Sequence, residues 1–303
     1  MIGLSGGLDS TLAFLVCLDA LAKLERPLEQ LLALTLPGPG TSSHTLESAR
    51  ALAGAAGVTL REIPIGPAVA QHLSDLGHTA ENDVVFENAQ ARERTQILFN
   101  MANKVGGIVV GTGDLSELAL GWCTFNADHM ASYNVNASVP KTMMAYLVRW
   151  YARHRADAAL AGVLERVLAT PISPELLVSE PGSIVQETEA IIGPYELHDF
   201  FLWHYVRNGA GPTKIYRLAQ LVFEDSYSDD TLKRWLKVFF QRFFSQQFKR
   251  TTLPPGPKVG SVSLSPRGDW RMPDEAAAAR LLDEIDAIPD DGAGAGSDGD
   301  RSP

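Results

Sequence analysis

Six residues near the start of the chain, Ser5-Gly6-Gly7-Leu8-Asp9-Ser10, are of types that handle phosphate. Two glycines let the backbone curl without Cβ clashes and aim consecutive N–H groups into one concavity. Thr11 to Leu24 follows with apolar residues on a helical period, Leu12, Leu15, Val16, Leu18 and Leu21 forming one broad face. The positive end of that helix adds to the field of the loop. Such a loop binds phosphate or pyrophosphate, with Asp9 and Ser10 placed to hold a metal ion and a phosphate oxygen. No Gly-Lys-Ser/Thr follows, so the loop is not a Walker loop. The bland reading of the same residues is a glycine turn with Asp9 as a helix cap.

A second loaded stretch runs Gly111-Thr112-Gly113-Asp114-Leu115-Ser116-Glu117-Leu118-Ala119-Leu120-Gly121-Trp122. A glycine pair after a strand, then an acid, marks a close approach of backbone to ligand. Glu117 sits in a helical turn among apolar neighbours, and with Asp9 it offers two hard oxygen ligands of the kind Mg²⁺ on ATP phosphates requires. Taken alone, the stretch reads equally as a helix capped by Asp114 with Glu117 in solvent.

The elements that must position these residues alternate. Met1 to Leu4 is the stub of a strand; Leu31 to Leu36 is a buried strand closed by Pro37-Gly38-Pro39-Gly40. Ser42 or Ser43 caps a helix running to Gly54 or Gly57. Thr59 to Ile65 is a third strand, Val69 to Leu76 a short helix, Val84 to Lys104 a long one, and Ile108 to Val110 a fourth strand. This alternation predicts an α/β fold, a doubly wound parallel sheet with its site at the carboxyl ends of the strands. From Lys141 the pattern turns helical, at 143–153, 158–168, 198–207, 213–223 and 231–248, so a C-terminal helical region is added. One domain over 1–288 is expected, with 289–303, rich in Asp, Gly, Ala and Ser, a disordered tail.

Composition narrows the function. The chain has 303 residues, 45% hydrophobic and 20% charged, ordinary for a globular core. A net charge of −10 disfavours a broad nucleic-acid surface. Two cysteines, Cys17 and Cys123, make neither a disulfide framework nor a four-ligand zinc site. No apolar run is long enough to span a bilayer and no signal series precedes the fold, which makes the cytoplasm the expected location. A central strand of only four residues suggests a chain that is part of something longer on its N-terminal side.

Ser-Gly-Gly-x-Asp-Ser resembles the PP-loop of the ATP pyrophosphatases (adenine nucleotide alpha hydrolase-like proteins), which split ATP between its α- and β-phosphates. The stretch Gly111 to Trp122, with Tyr133-Asn-Val-Asn136, Val139-Pro-Lys-Thr142 and Gly193-Pro-Tyr-Glu-Leu-His-Asp-Phe200, resembles the NAD⁺ synthetases. Gln247-Phe-Lys-Arg250, Gly256-Pro-Lys-Val259 and Ser265-Pro-Arg-Gly-Asp-Trp270 are similar to the glutamine-dependent bacterial branch of that family. The likeness runs to about residue 286. It implies ATP-dependent amidation of deamido-NAD⁺ to NAD⁺ through an acyl-adenylate, with release of AMP and pyrophosphate and with Mg²⁺ as the metal.

The resemblance also implies roles. Gly3, Leu4, Ser5, Gly6, Gly7, Leu8, Asp9, Ser10, Thr112 and Lys141 would meet ATP, and Asp9 and Glu117 the metal. Asn88 and Arg92, four apart on one helix face, would meet deamido-NAD⁺ together with Glu117, Trp122, Cys123, Thr124, Phe125 and Lys249. Asp9, Glu117 and Lys141 would carry the chemistry. His129 reads as a loop histidine, and residues 170–176 and 186–189 resemble a loop over the ATP. A homodimer is implied as well. The branch carries a glutaminase with a Glu-Lys-Cys triad, for which there is no room ahead of Ser5, so ammonia, or a separate or lost glutaminase domain, is the expected nitrogen source. Competing readings are another PP-loop amidating ligase and a non-catalytic nucleotide-binding fragment.

Overall fold

The computed structural model describes residues 1–79, 81–170 and 188–289; of the two segments expected over the ATP, 170–176 and 186–189, residues 171–176 and 186–187 lie outside them, as does the tail from 290. Five parallel strands form the sheet: β1 (Ile2–Gly3), β2 (Ala33–Thr35), β3 (Leu60–Glu62), β4 (Val110–Gly111) and β5 (Tyr133–Asn134). Their order is β3-β2-β1-β4-β5, so the chain runs outward from β1 to β3 and then reverses through β4. That reversal beside β1 is the switch point at which a doubly wound sheet opens a ligand crevice.

Helices cover both faces, as the alternation requires. On one side α1 (Leu8–Lys23), α2 (Ser43–Ala55), α6 (Lys141–His154) and α7 (Ala158–Ala169) pack with Ile2, Leu4 and Ala33 into one core. On the other, α3 (Gly66–Asp75) and α4 (Val84–Val105) pack with Met1, Leu34 and Val109. Ser42 caps α2, its hydroxyl accepting from Thr45 N (3.2 Å), and Asp83 caps α4 through Val85 N (2.9 Å) and Phe86 N (3.0 Å). Gly106, at φ 65°, ends α4 in the left-handed conformation.

Sequence and structure differ in register at the strands. The second strand is three residues rather than six, and the fourth is Val110–Gly111 rather than 108–110. β1 at two residues is as long as β4 and β5, so its brevity is shared with the rest of the sheet. β5 gave no strand signal because it is two polar residues; Asn134 N bonds to Pro255 O (2.8 Å), outside the sheet.

The remaining helices are α5 (Leu115–Leu120), α8 (Thr188–Ile192), α9 (Tyr195–Leu202), α10 (Pro212–Val222), α11 (Asp229–Ser245), α12 (Gln247–Arg250) and α13 (Ala279–Asp286). The stretch expected as one helix over 198–207 begins earlier and passes into a π-helical turn at Trp203–Arg207. A third core, rich in aromatic side chains, unites α5 and α8 to α11 with α13, around Phe201, Phe239, Phe240 and Phe243. Gly193 enters α9 at φ 97°, and a Cβ there would stand 2.5 Å from the Trp235 ring. Gly193→Ala is therefore expected to lower stability by about 1–3 kcal/mol, measured by urea unfolding; an unchanged midpoint would show that this contact is slack.

Candidate active site

The glycine loop leaves β1 and enters α1. Gly6 alone takes a positive φ, 92°, and a Cβ on it would come 2.2 Å from Thr45 O, so no other residue fits. Gly7 is extended, and its N–H donates to Ser5 Oγ (3.2 Å) instead of joining a ring of free amides. The curl expected of two glycines thus comes from one. Ser5 and Ser10 hydroxyls lie 2.9 Å apart, Ser10 Oγ donates to Gly7 O (3.1 Å), and Thr11 Oγ1 donates to the same carbonyl (2.8 Å). The loop is self-knit, and the N–H groups of the first turn of α1, at Leu8, Asp9 and Ser10, have no acceptors within the helix.

The second loop is fastened to the first by asparagines. Asn136 Nδ2 donates to Asp9 O (3.0 Å) and Thr112 O (2.9 Å), while Asn134 Nδ2 holds Gly113 O (2.8 Å). Gly111 admits this approach, since a Cβ there would lie 2.8 Å from Ala131 Cβ. The Tyr133 to Asn136 motif therefore ties the glycine loop to Thr112.

Asp114 then caps α5, its Oδ1 accepting from Glu117 N (2.8 Å), as the bland reading had it. Its other oxygen does something the sequence did not reveal. Asp114 Oδ2, on a side chain 0% exposed, lies 2.6 Å from Lys141 Nζ. The same ammonium bonds both Asp9 oxygens (2.6 and 2.8 Å) and Glu117 Oε1 (2.9 Å). Tyr195 lies beside it, ring centroid 5.3 Å from Nζ. Glu117 is ion-paired rather than solvated. The signal for Asp114 was the Asp-x-x-Glu spacing, which puts a cap and its third residue at one helix start.

Burial works against the Lys141 ammonium, but Asp114, Asp9 and Glu117 outweigh it and hold its pKa well above the ordinary lysine value. Burial raises the Asp114 carboxyl as well, with Glu117 and Asp9 adding repulsion against the pull of Lys141. Burial pushes Glu117 up to about 7, despite Lys141, and Asp9 adds to the rise. Three carboxyl groups thus share one cation, and burial and mutual repulsion resist the full ionisation of Asp114 and Glu117. One oxygen from each of Asp9, Asp114 and Glu117 lies within 4.8 Å of the others, and Asp114 Oδ2 has no well-aligned hydrogen bond. Such an all-oxygen set suits a hard divalent cation such as Mg²⁺.

Asp9 and Glu117 open onto a cavity of about 590 Å³, while Asp114 is buried behind them. Gly3, Leu4, Ser5, Asp9, Ser10 and Thr112 wall one end, with Glu117 among them. Asn88, Arg92, Trp122, Cys123, Thr124, Phe125 and Lys249 also line the cavity. Gly6, Gly7 and Leu8 shape the loop without lining the cavity, and Lys141 is buried behind the acids. Asn88 Oδ1 accepts from Thr124 Oγ1 (2.9 Å). The Arg242 guanidinium lies over the Trp122 ring, 5.2 Å from its centroid.

Sequence reasoning missed Arg242, Asp128 and the structural use of Lys249. Lys249 Nζ donates to Gly121 O (2.8 Å) and Cys123 O (2.7 Å), Arg242 Nε to Leu120 O (2.9 Å), and the buried Arg250 to Leu118 O (3.1 Å) and Ala119 O (2.9 Å). Three cations from α11 and α12 thus satisfy the carbonyl end of α5, where the helix dipole favours them. Asp128 accepts from Thr124 N (2.7 Å), and burial pushes its carboxyl up to about 6. His129 is a packed residue: it is buried, near Thr124 O and Thr252 Oγ1, and stacks on Phe125. Burial pushes the Cys17 thiol up to about 11 and raises Cys123 further, so neither is an activated nucleophile.

A parallel α/β sheet with a glycine loop at its switch point and an acid-rich crevice beside it defines a nucleotide-binding α/β protein. The chain belongs to the NAD synthase family, whose model matches residues 1–242. A glutamine-dependent NAD(+) synthetase of Mycobacterium leprae is 44% identical over 311 residues, covering 94% of this chain and 46% of that one. The chain spans about half the length of the curated relatives it matches. Its fold is that of a glutamine-dependent NAD(+) synthetase from Cytophaga hutchinsonii, with a TM-score of 0.73 at 21% identity over 94% of this chain and 52% of that one. A second, from Acinetobacter baumannii in complex with ADP, gives a TM-score of 0.51 at 25% identity over 90% of this chain and 44% of that one.

The raised Glu117 makes a stability prediction. Its folded pKa of about 7 lies above its ordinary 4.5, so its contribution is fully present below pH 4.5 and lost as pH rises through 7. Glu117→Gln should therefore melt higher than the unsubstituted protein at pH 8, without metal or nucleotide, and the gap should close toward pH 5. A difference independent of pH would refute it.

Proposed function

We propose that this chain catalyses the ATP-dependent amidation of deamido-NAD⁺ to NAD⁺, releasing AMP and pyrophosphate. The observation that carries the reading is the single cavity joining the glycine loop, the acid cluster and the Trp122 to Phe125 wall. The family supports it, as does the ADP complex of the Acinetobacter baumannii relative.

In this reading the phosphates of ATP lie over Ser5 to Ser10, and the free amides at the start of α1 receive the pyrophosphate as it gains charge. The nicotinate carboxylate attacks the α-phosphorus, and the P–O bond to pyrophosphate breaks. Ammonia then attacks the acyl carbon of the adenylate; the nitrogen sheds a proton and AMP leaves with the bonding pair. Asp9 and Glu117, with Asp114, would hold Mg²⁺, which supplies positive charge to the phosphate oxygens when bound. Lys141 keeps its proton and draws the three acids together, while Trp122, Thr124 and Phe125 orient the pyridine end and exclude water that would hydrolyse the adenylate. Asn88, Arg92 and Lys249 serve the rest of the dinucleotide.

We take residues 1–288 as the synthetase domain, acting in the cytoplasm as a homodimer; no helix among the described residues is long and apolar enough to cross a membrane. Ammonia is the nitrogen source for the chain by itself, because neither thiol is set up to attack glutamine.

Deamido-NAD⁺, ATP, Mg²⁺ and ammonium should yield NAD⁺ and AMP in equal amounts. Asp9→Ala should cut turnover by about 100-fold or more. A folded protein that binds ATP yet forms no NAD⁺ would favour the binding-only reading. Glutamine in place of ammonium should give no product, and turnover with it would sink the ammonia assignment.

A further inference from the structure

The segment Gly193 to Phe200 has no role in the chemistry above, yet it reaches the residue at the centre of the acid cluster. Helix α6 opens on Lys141, directly after Pro140, which offers no side-chain cap. The first N–H groups of a helix lack partners within it. Here they are met from elsewhere: Lys141 N donates to Ser116 Oγ (2.8 Å), and Thr142 N to Asp199 Oδ2 (3.1 Å). Thr142 Oγ1 donates to the same Asp199 oxygen (2.7 Å). Asp199 Oδ1 in turn accepts from Ser116 Oγ, so one carboxylate orients the hydroxyl that receives Lys141 N.

Ser116 precedes Glu117 in α5, and Asp199 lies on α9, a helix seated by His198 and Phe201 in the aromatic core. The Asp199 carboxylate therefore ties the start of α5, which carries Glu117, to the start of α6, which carries Lys141. Leu115 N donating to Val139 O (3.0 Å) adds a second tie between the same two segments. We propose that Asp199 is a positioning residue: it caps α6 from a different helix and thereby fixes Lys141 against Glu117. The catalytic part of this inference rests on the function proposed above; the capping part does not.

In Asp199→Ala the amides of Lys141 and Thr142 should exchange with solvent about tenfold faster, as for a lost helix cap. The side-chain ammonium signal of Lys141 should shift or broaden in ¹H–¹⁵N spectra. NAD⁺ formation should lose about 100-fold in kcat, the scale of a misplaced catalytic group, with little change in KM for ATP. Asp199→Asn should restore most of this, since its amide oxygen can accept from Thr142 and its NH₂ can donate to Ser116 Oγ. Ser116→Ala, which removes the Lys141 link and the Ser116–Asp199 bond but keeps the cap on Thr142, should fall between them and serves if Asp199→Ala does not fold.

Unchanged exchange at both amides in the Ala variants would overturn the proposal. So would faster exchange with kcat intact, or an Asn variant as impaired as the Ala variant. If the unsubstituted protein forms no NAD⁺, the function proposed above fails instead, and the amide and ammonium signals decide the capping alone.

Discussion

The burial of one ammonium among three carboxylates governs this structure. Lys141 cannot leave water without counter-charges, and Asp9, Asp114 and Glu117 cannot crowd together without a cation between them. The acids come from two parts of the chain: Asp9 from the start of α1, and Asp114 and Glu117 from the cap and first turn of α5. Holding them around one Nζ fixes the glycine loop, the loop after β4 and the start of α6 relative to one another. One ammonium cannot balance three carboxylates at full ionisation, so their crowding costs stability. A further cation beside these groups would favour their ionised forms, so the crowding that costs stability is also what suits the acids to hold one.

The fold was legible wherever apolar period and capping residues agreed. Strand–helix alternation through residue 110 was readable because Leu31 to Leu36 is a continuous apolar run, and because Asp83 and Gly106 bracket α4 with capping chemistry. β5 was not, because Tyr133 and Asn134 belong to the sheet by backbone bonds alone. The C-terminal helices at 213–223 and 231–248 were visible from their periods; α13 was not among the expected helices, although Leu281, Leu282 and Ile285 give it an apolar face, and it docks against α10 and α11.

At the site, the loop residues and Glu117 were recognisable from type and spacing, and the motif likeness carried Asn88, Arg92 and Lys249. What sequence could not give was the second use of groups that already had a first. Asp114 is a cap and also a counter-ion. Lys249 lines the cavity and also pins two carbonyls. Arg242 sits in an amphipathic helix where nothing distinguishes it from its surface neighbours; its partner, Leu120 O, is 122 residues away. Such roles follow from three-dimensional proximity, which residue type does not encode.

Helix α5 has six residues, too few to persist by itself. Its far end is held by Arg242, Lys249 and Arg250, and its terminal Gly121, at φ 59°, admits Gln246 at a distance no Cβ would allow. The family model matches as far as residue 242, yet most of this buttress lies in the next eight residues. A chain trimmed at residue 242 would keep the glycine loop and the acid cluster but lose Lys249 and Arg250, two of the three cations that brace the helix carrying Glu117.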